Sequence, residues 1–285
     1  MKVKRAATDF TADALPATRP AVFWDCWRVR HRLLFALGGI LLLFLLPLLI
    51  SHLSRDVLCA SVAVSDAGDE AARAAAVANL RFWFRLIDIP CWLILSVGLA
   101  GTVRVVRQLV FGEGVFLRED FFTGVRQNGG AYAGVFLFTS LWLLLTEYAG
   151  TLRGSTGGLA YLPIISGILL LLPIGLLLLA EVAVYRATVG GLLKNAMILY
   201  FRTVPTTLAA TAALLLPLLV CFVLDIAGAM LFVKYVFLVA YAVLLLPSTV
   251  MGEFLYCAYV FDKHINRKYH PEEVDKGIHR REQSK

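Results

Sequence analysis

Residues 33–54 read LLFALGGILLLFLLPLLISHLS, with His52 as the one titratable side chain. A helix needs about 20 largely apolar residues to cross about 30 Å of hydrocarbon, and this stretch is long enough. Five more windows of the same kind follow, at 89–103, 127–146, 154–180, 203–224 and 235–252. The second is short, but Leu86 and Ile87 before it and Val105, Val106, Leu109 and Val110 after it extend its apolar surface. Backbone groups in lipid must be satisfied internally, and no alternation typical of barrel strands occurs, so the windows are expected to be helices. The fold class expected is therefore all-α, a polytopic membrane protein with six transmembrane helices.

Composition agrees. Of 285 residues 59% are hydrophobic and 16% charged, and the mean hydropathy is +0.76. Soluble domains hold about 45–50% apolar and about 25% charged residues, so this surplus calls for a lipid solvent. A soluble enzyme, a secreted disulfide scaffold and a disordered chain are excluded. The net charge of +7 raises nucleic acid as a partner, but the charges lie between the apolar windows and serve orientation instead. Alternate connections carry 21 and 6 of the Lys and Arg residues, which places both termini in the cytoplasm under the positive-inside rule. Three segments follow: a basic N-terminal stretch 1–32, a six-helix domain 33–262 and a charged tail 263–285. The first window has no small-residue cleavage site close behind it and is expected to be a retained anchor.

Three connections carry structure of their own. The segment 54–85 includes Asp66, Asp69 and Glu70 ahead of AARAAAVANLRFWFRLI, where the acids suit a helix start; a short external helix is expected. In GEGVFLREDFFTGVRQNGG, Leu117, Phe121 and Val125 stand at i, i+4 and i+8, the contact face of an amphipathic helix on the cytoplasmic side. In GGLLKNAMILYFRTVPTT, Leu193, Met197 and Phe201 repeat that spacing. Arg126 and Arg202 hold comparable places before spans 3 and 5, a pattern that a weak parallel repeat or any pair of membrane hairpins would give.

The chemistry must start from the residues that are expensive in lipid. Glu181 and Glu253 fall toward the cytoplasmic ends of spans 4 and 6, with Arg104, Arg107 and Arg186 on the same side as ion-pair partners. Such pairs either fix helix packing or line a path. On the other side Arg85, Asp88, Glu147, Asp225 and Lys234 form a second polar group. Pro90, Pro163, Pro173, Pro217 and Pro247 sit in or beside spans, yet no paired Gly/Pro interruption marks a broken transporter helix. The five cysteines have no CxxC and no histidine at ligand spacing, so packing thiols are expected. No Walker loop, HExxH or GxSxG occurs; no enzyme activity, cofactor or metal is expected.

The run VRVVRQLVFGEGVFLREDFFTGVRQNG (103–129) resembles the centre of the YesL family of bacterial integral membrane proteins. LLKNAMILYFRTVPTTL and YCAYVFDKHINRKY are similar to two further parts of that family, and the likeness runs from Phe23 to Tyr269. The chain departs from it in the long connection 51–85 and in its longer N-terminal segment. The resemblance implies a bacterial cytoplasmic membrane protein, an accessory or assembly partner of a carbohydrate ABC transport system that meets the permease subunits, and it supplies no catalytic residues. The alternative is a small secondary transporter or channel using Glu181 and Glu253. Lipid is the expected surroundings, nucleic acid is not a partner, and a homo-oligomer is left open.

Overall fold

A computed structural model describes residues 2–3, 16–64, 70–152, 157–226 and 230–278. The fold is all-α: α1 (Arg19–Val64), α2 (Glu70–Val110), α3 (Leu117–Thr151), α4 (Leu162–Ser166), α5 (Leu172–Val184), α6 (Val189–Arg202), α7 (Val204–Ile226), α8 (Leu231–Leu244), α9 (Leu246–Phe261) and α10 (Arg267–Tyr269). Lys2–Val3 and Tyr185–Arg186 form a two-residue antiparallel pair. Five helical stretches are long and apolar enough to cross a bilayer, and the pair α8 and α9, extended to Tyr269, reaches that length together with a bend of 55°.

α1, α2 and α3 run to 46, 41 and 35 residues, so each exceeds the hydrocarbon thickness. The expected external helix is the first part of α2, continuous with the span, while Asp66 and Asp69 lie outside the described residues. α1 is broken at Arg30 (φ −122°, ψ 22°), and its first turns bury Val22 and Cys26 in the core. Residues before 32 thus pack with the bundle in the same helix as the first apolar window. At the other chain end Arg19 donates to Asp262 at 2.6 Å and to the Lys276 carbonyl at 2.9 Å, so the residues after 262 also fold onto the bundle.

Leu117, Phe121 and Val125 do not stand on a separate helix. These residues open α3 itself, and the chain climbs directly from this stripe into the span. Gly112 (φ +64°) turns the chain after α2. Asp120 then locks the turn, accepting from the Phe116 amide at 2.8 Å and from Gln108 Nε2 at 2.9 Å. Phe121 is buried against α2 where a Cβ on Gly101 would come within 2.6 Å of its ring, and Phe44 stacks 5.9 Å away. Leu117 and Val125 pack beside it.

The fourth pass is irregular. A 3₁₀ turn Gly157–Tyr161 leads to α4, then to a π-helical turn Gly167–Leu171 and α5. Pro173 has no amide to offer the Leu169 carbonyl, and the Tyr200 hydroxyl donates to that oxygen instead. Tyr200 belongs to α6, which is a distinct helix capped by Thr188, whose hydroxyl accepts from the Gly191 amide at 3.3 Å. Leu192, Ala196, Leu199 and Tyr200 are its buried face, while the stripe of Leu193, Met197 and Phe201 points outward. Both stripes are apolar at helical spacing, so period alone could not choose between them. The two hairpins also differ, one having a tight turn and the other a whole helix, which leaves little of the suspected repeat.

The sixth window corrects the sequence reading most. Its helix stops at Leu244 and restarts at Leu246, with Pro247 in the first turn of α9. Pro247 lacks the amide that would bond the Val243 carbonyl. That oxygen lies against Gly38 of α1, where a Cβ would run into it. Gly38→Leu should therefore lower stability by about 1–3 kcal/mol through overpacking, seen as a reduced thermal midpoint in detergent. Gly39→Ala, in open space, should leave the midpoint unchanged.

Candidate functional site: two unpaired carboxylates beside a broken helix

At the end of the bundle where α1 begins and α9 ends, the buried charges Arg107, Glu113, Asp262 and Glu273 are paired. Arg107, fully buried, donates to Glu113 at 3.1 Å, and Lys276 and Glu273 close the group with 3.1 Å contacts from Lys276 to each acid. Arg107 also reaches the Ala183 carbonyl at 3.5 Å. Arg104 donates to Gln127 at 2.9 Å and stands 4.0 Å from Asp120. Arg186 is exposed in the short strand. The pairing expected between these arginines and Glu181 or Glu253 is thus replaced: Arg107 is held by Glu113, which sits in the GEGVF turn only six residues away. A partner that close in sequence needs no tertiary geometry to find it.

Glu181 and Glu253 remain. Glu181 on α5 is fully buried, and neither carboxylate oxygen has a hydrogen-bond partner among the described residues. Glu253 on α9 is 7% exposed, and its Oε2 likewise has none. The Cys257 thiol, one turn beyond Glu253, lies within the electrostatic reach of both carboxylates. Burying a lone carboxylate as an anion costs several kcal/mol, so this geometry favours the arrival of a proton or a cation.

Glu253 lines a cleft of about 1140 Å³ between α7 and the broken pair α8 and α9, closed at one end by the start of α1. Ser248, in the first turn after the break, also lines it, and its buried hydroxyl has no partner. Tyr241 and Thr249 bridge the break with hydroxyls 2.9 Å apart. Tyr256 stands 2.7 Å from Thr207 and 3.2 Å from Thr206, which ties α9 to α7. None of these hydroxyl residues was singled out from the sequence, although Pro247-Ser248-Thr249 inside an apolar window is a legible sign of interruption.

The opposite end has two closed polar groups. Asp88, almost fully buried, accepts from Ser51 at 2.7 Å and lies 3.3 Å from His52 and 3.5 Å from Arg85, which extends to Glu147 at 3.4 Å. Asp56 joins Lys234 at 2.9 Å and Tyr235 at 3.1 Å, and Lys234 also holds Asp225 at 3.1 Å. The five cysteines are free thiols, four of them buried. Among the described residues no three His, Cys, Asp or Glu side chains cluster as a metal would require.

Removing one member of a buried ion pair strands the other, at a cost of about 3–5 kcal/mol. Glu113→Gln should therefore lower the unfolding midpoint strongly in detergent. Glu253→Gln, which strands no cation, should leave that midpoint close to the wild-type value or raise it. Comparisons with protein families, curated proteins and solved structures give no match, so these residues are read from their geometry and chemistry alone.

Proposed function

We propose that the chain is a small carrier of the bacterial cytoplasmic membrane, with six passes, both termini in the cytoplasm, and Glu181 and Glu253 as the groups that receive a proton or a cation. The observation that carries this reading is that Glu181 and Glu253 are buried without a hydrogen-bond or ion-pair partner among the described residues, while buried Arg107, Glu113 and Glu273 are held in ion pairs. A structural role for Glu181 would need a donor, and no described residue supplies one. The broken pair α8 and α9 adds support, because interrupted spans expose backbone and hydroxyl groups to a cavity where regular helices cannot. α6, with Val189, Leu193 and Phe201 facing outward, suits a helix lying in the inner leaflet.

The likeness of 103–129 to the YesL family favours a second reading, an accessory of a carbohydrate ABC transporter. Stoichiometric co-purification with permease subunits from mild detergent would support it. The two readings part in liposomes. The carrier reading expects proton or amine-cation flux by the purified chain, reduced at least tenfold by Glu181→Gln and by Glu253→Gln at unchanged thermal midpoint. Absence of flux in the wild-type chain overturns the carrier reading.

Orientation has its own test. In a background without the native cysteines, Ala75→Cys should react with an impermeant thiol reagent added to intact cells, and Glu119→Cys should not, both positions being exposed. The reverse labelling overturns the placement of the termini.

A further inference from the structure

The cleft beside Glu253 has a chemistry narrow enough to name its ligand class. Among the described residues Glu253 is the one charged residue in its lining, and the rest of the wall is apolar or aromatic apart from a few hydroxyls. We propose that this cleft is a binding site for an amphipathic organic ammonium ion, a free amine with an apolar body, whose charged centre is neutralised by Glu253. The inference rests on the carrier reading for the role of Glu253 and deepens it by assigning the ligand.

Two observations beyond the cavity itself point to a ligand. Glu253 is more than nine-tenths buried with Oε2 unpartnered, and the equally buried Ser248 hydroxyl lacks a partner one and a half turns earlier on the same helix. Five residues apart on α9, both contribute to the lining of one cavity, and a carboxylate with a neutral hydroxyl is the complement of a cation bearing N–H groups. Trp24, Trp27, Tyr241 and Tyr256 contribute aromatic rings to the same wall, and an ammonium over such faces gains further attraction. An inorganic cation fits poorly, since no second carboxylate lines the cleft to complete an oxygen shell. An anionic ligand would meet like charge and no basic residue. The volume, at the upper end of small-molecule sites, leaves ample room for an apolar body against Ala210, Ala213 and Leu216.

The test uses the full chain in nanodiscs of phosphatidylcholine, with radiolabelled dodecylammonium as probe and dodecanol as its neutral counterpart. Saturable binding of one amine per chain is expected, at least tenfold tighter than dodecanol. Glu253→Gln should abolish that preference, and Ala213→Trp, which fills the cleft and keeps the carboxylate, should weaken amine binding at least tenfold. Equal binding of amine and alcohol by the wild-type chain overturns the proposal even if either variant fails to fold. Displacement of the probe by phosphatidylethanolamine at ordinary membrane content reassigns the cleft to a lipid headgroup and also overturns it. Carboxylate-dependent proton flux without amine binding would sink the ligand assignment while leaving the carrier reading intact. Amine binding without any flux would do the opposite.

Discussion

The carbonyl of Val243, deprived of its helical donor by Pro247 and pressed against Gly38, is the constraint on which the far side of the bundle depends. A regular helix through this point would keep α8 and α9 collinear and would carry Glu253 along a different face. With the bend of 55°, α8 follows α1 closely while α9 turns away to pack on α2 and the start of α1. The space that opens between the bent pair and α7 is the cleft. Its polar lining follows from the same event, since Tyr241, Ser248 and Thr249 all lie within one or two turns of the break.

Charge placement divides the protein into satisfied and unsatisfied regions. Arg107 tolerates complete burial because Glu113 is fixed by a short turn, and Lys276 arrives from the tail to share the acid. Asp88 and Asp56 do the same work at the opposite end with hydroxyl, histidine and basic partners from α1, α2 and α8. These groups behave as fasteners between helices. Glu181 and Glu253 are buried as well but take no part in such fasteners. That contrast, more than burial itself, separates them from structural charges.

Much of the architecture could be read directly from residue order, because lipid allows few solutions for long apolar windows. In the stripe of Leu117, Phe121 and Val125 the helical period puts buried Phe121 between two half-buried neighbours. On α6 the stripe of Leu193, Met197 and Phe201 could be seen, but apolar residues cover nearly all of the helix, and only packing distinguishes the buried Tyr200 side from the exposed Phe201 side. The break before Pro247 was missed because prolines are common in membrane helices, and what makes this one disruptive is the match with Gly38, some 200 positions away in the chain. Glu181 and Glu253 were visible as costly residues, but their lack of partners was not. A sequence displays which arginines lie on the same side and says nothing about which have already been taken.

The closure of the tail onto α2 has a consequence for how the protein is made. Glu273, Lys276 and Gly277 are synthesised after every apolar helix, yet Lys276 completes the charge group around Glu113, and Gly277 (φ +81°) sits against the backbone of Val110 and Phe111. During elongation the α2–α3 hairpin thus enters the membrane with Arg107 and Glu113 joined to each other but unsealed, and water can reach them from that side. Only release of the last turns excludes it. Residues 273–277 act as a stopper over that charge group, set in place after the helices they close.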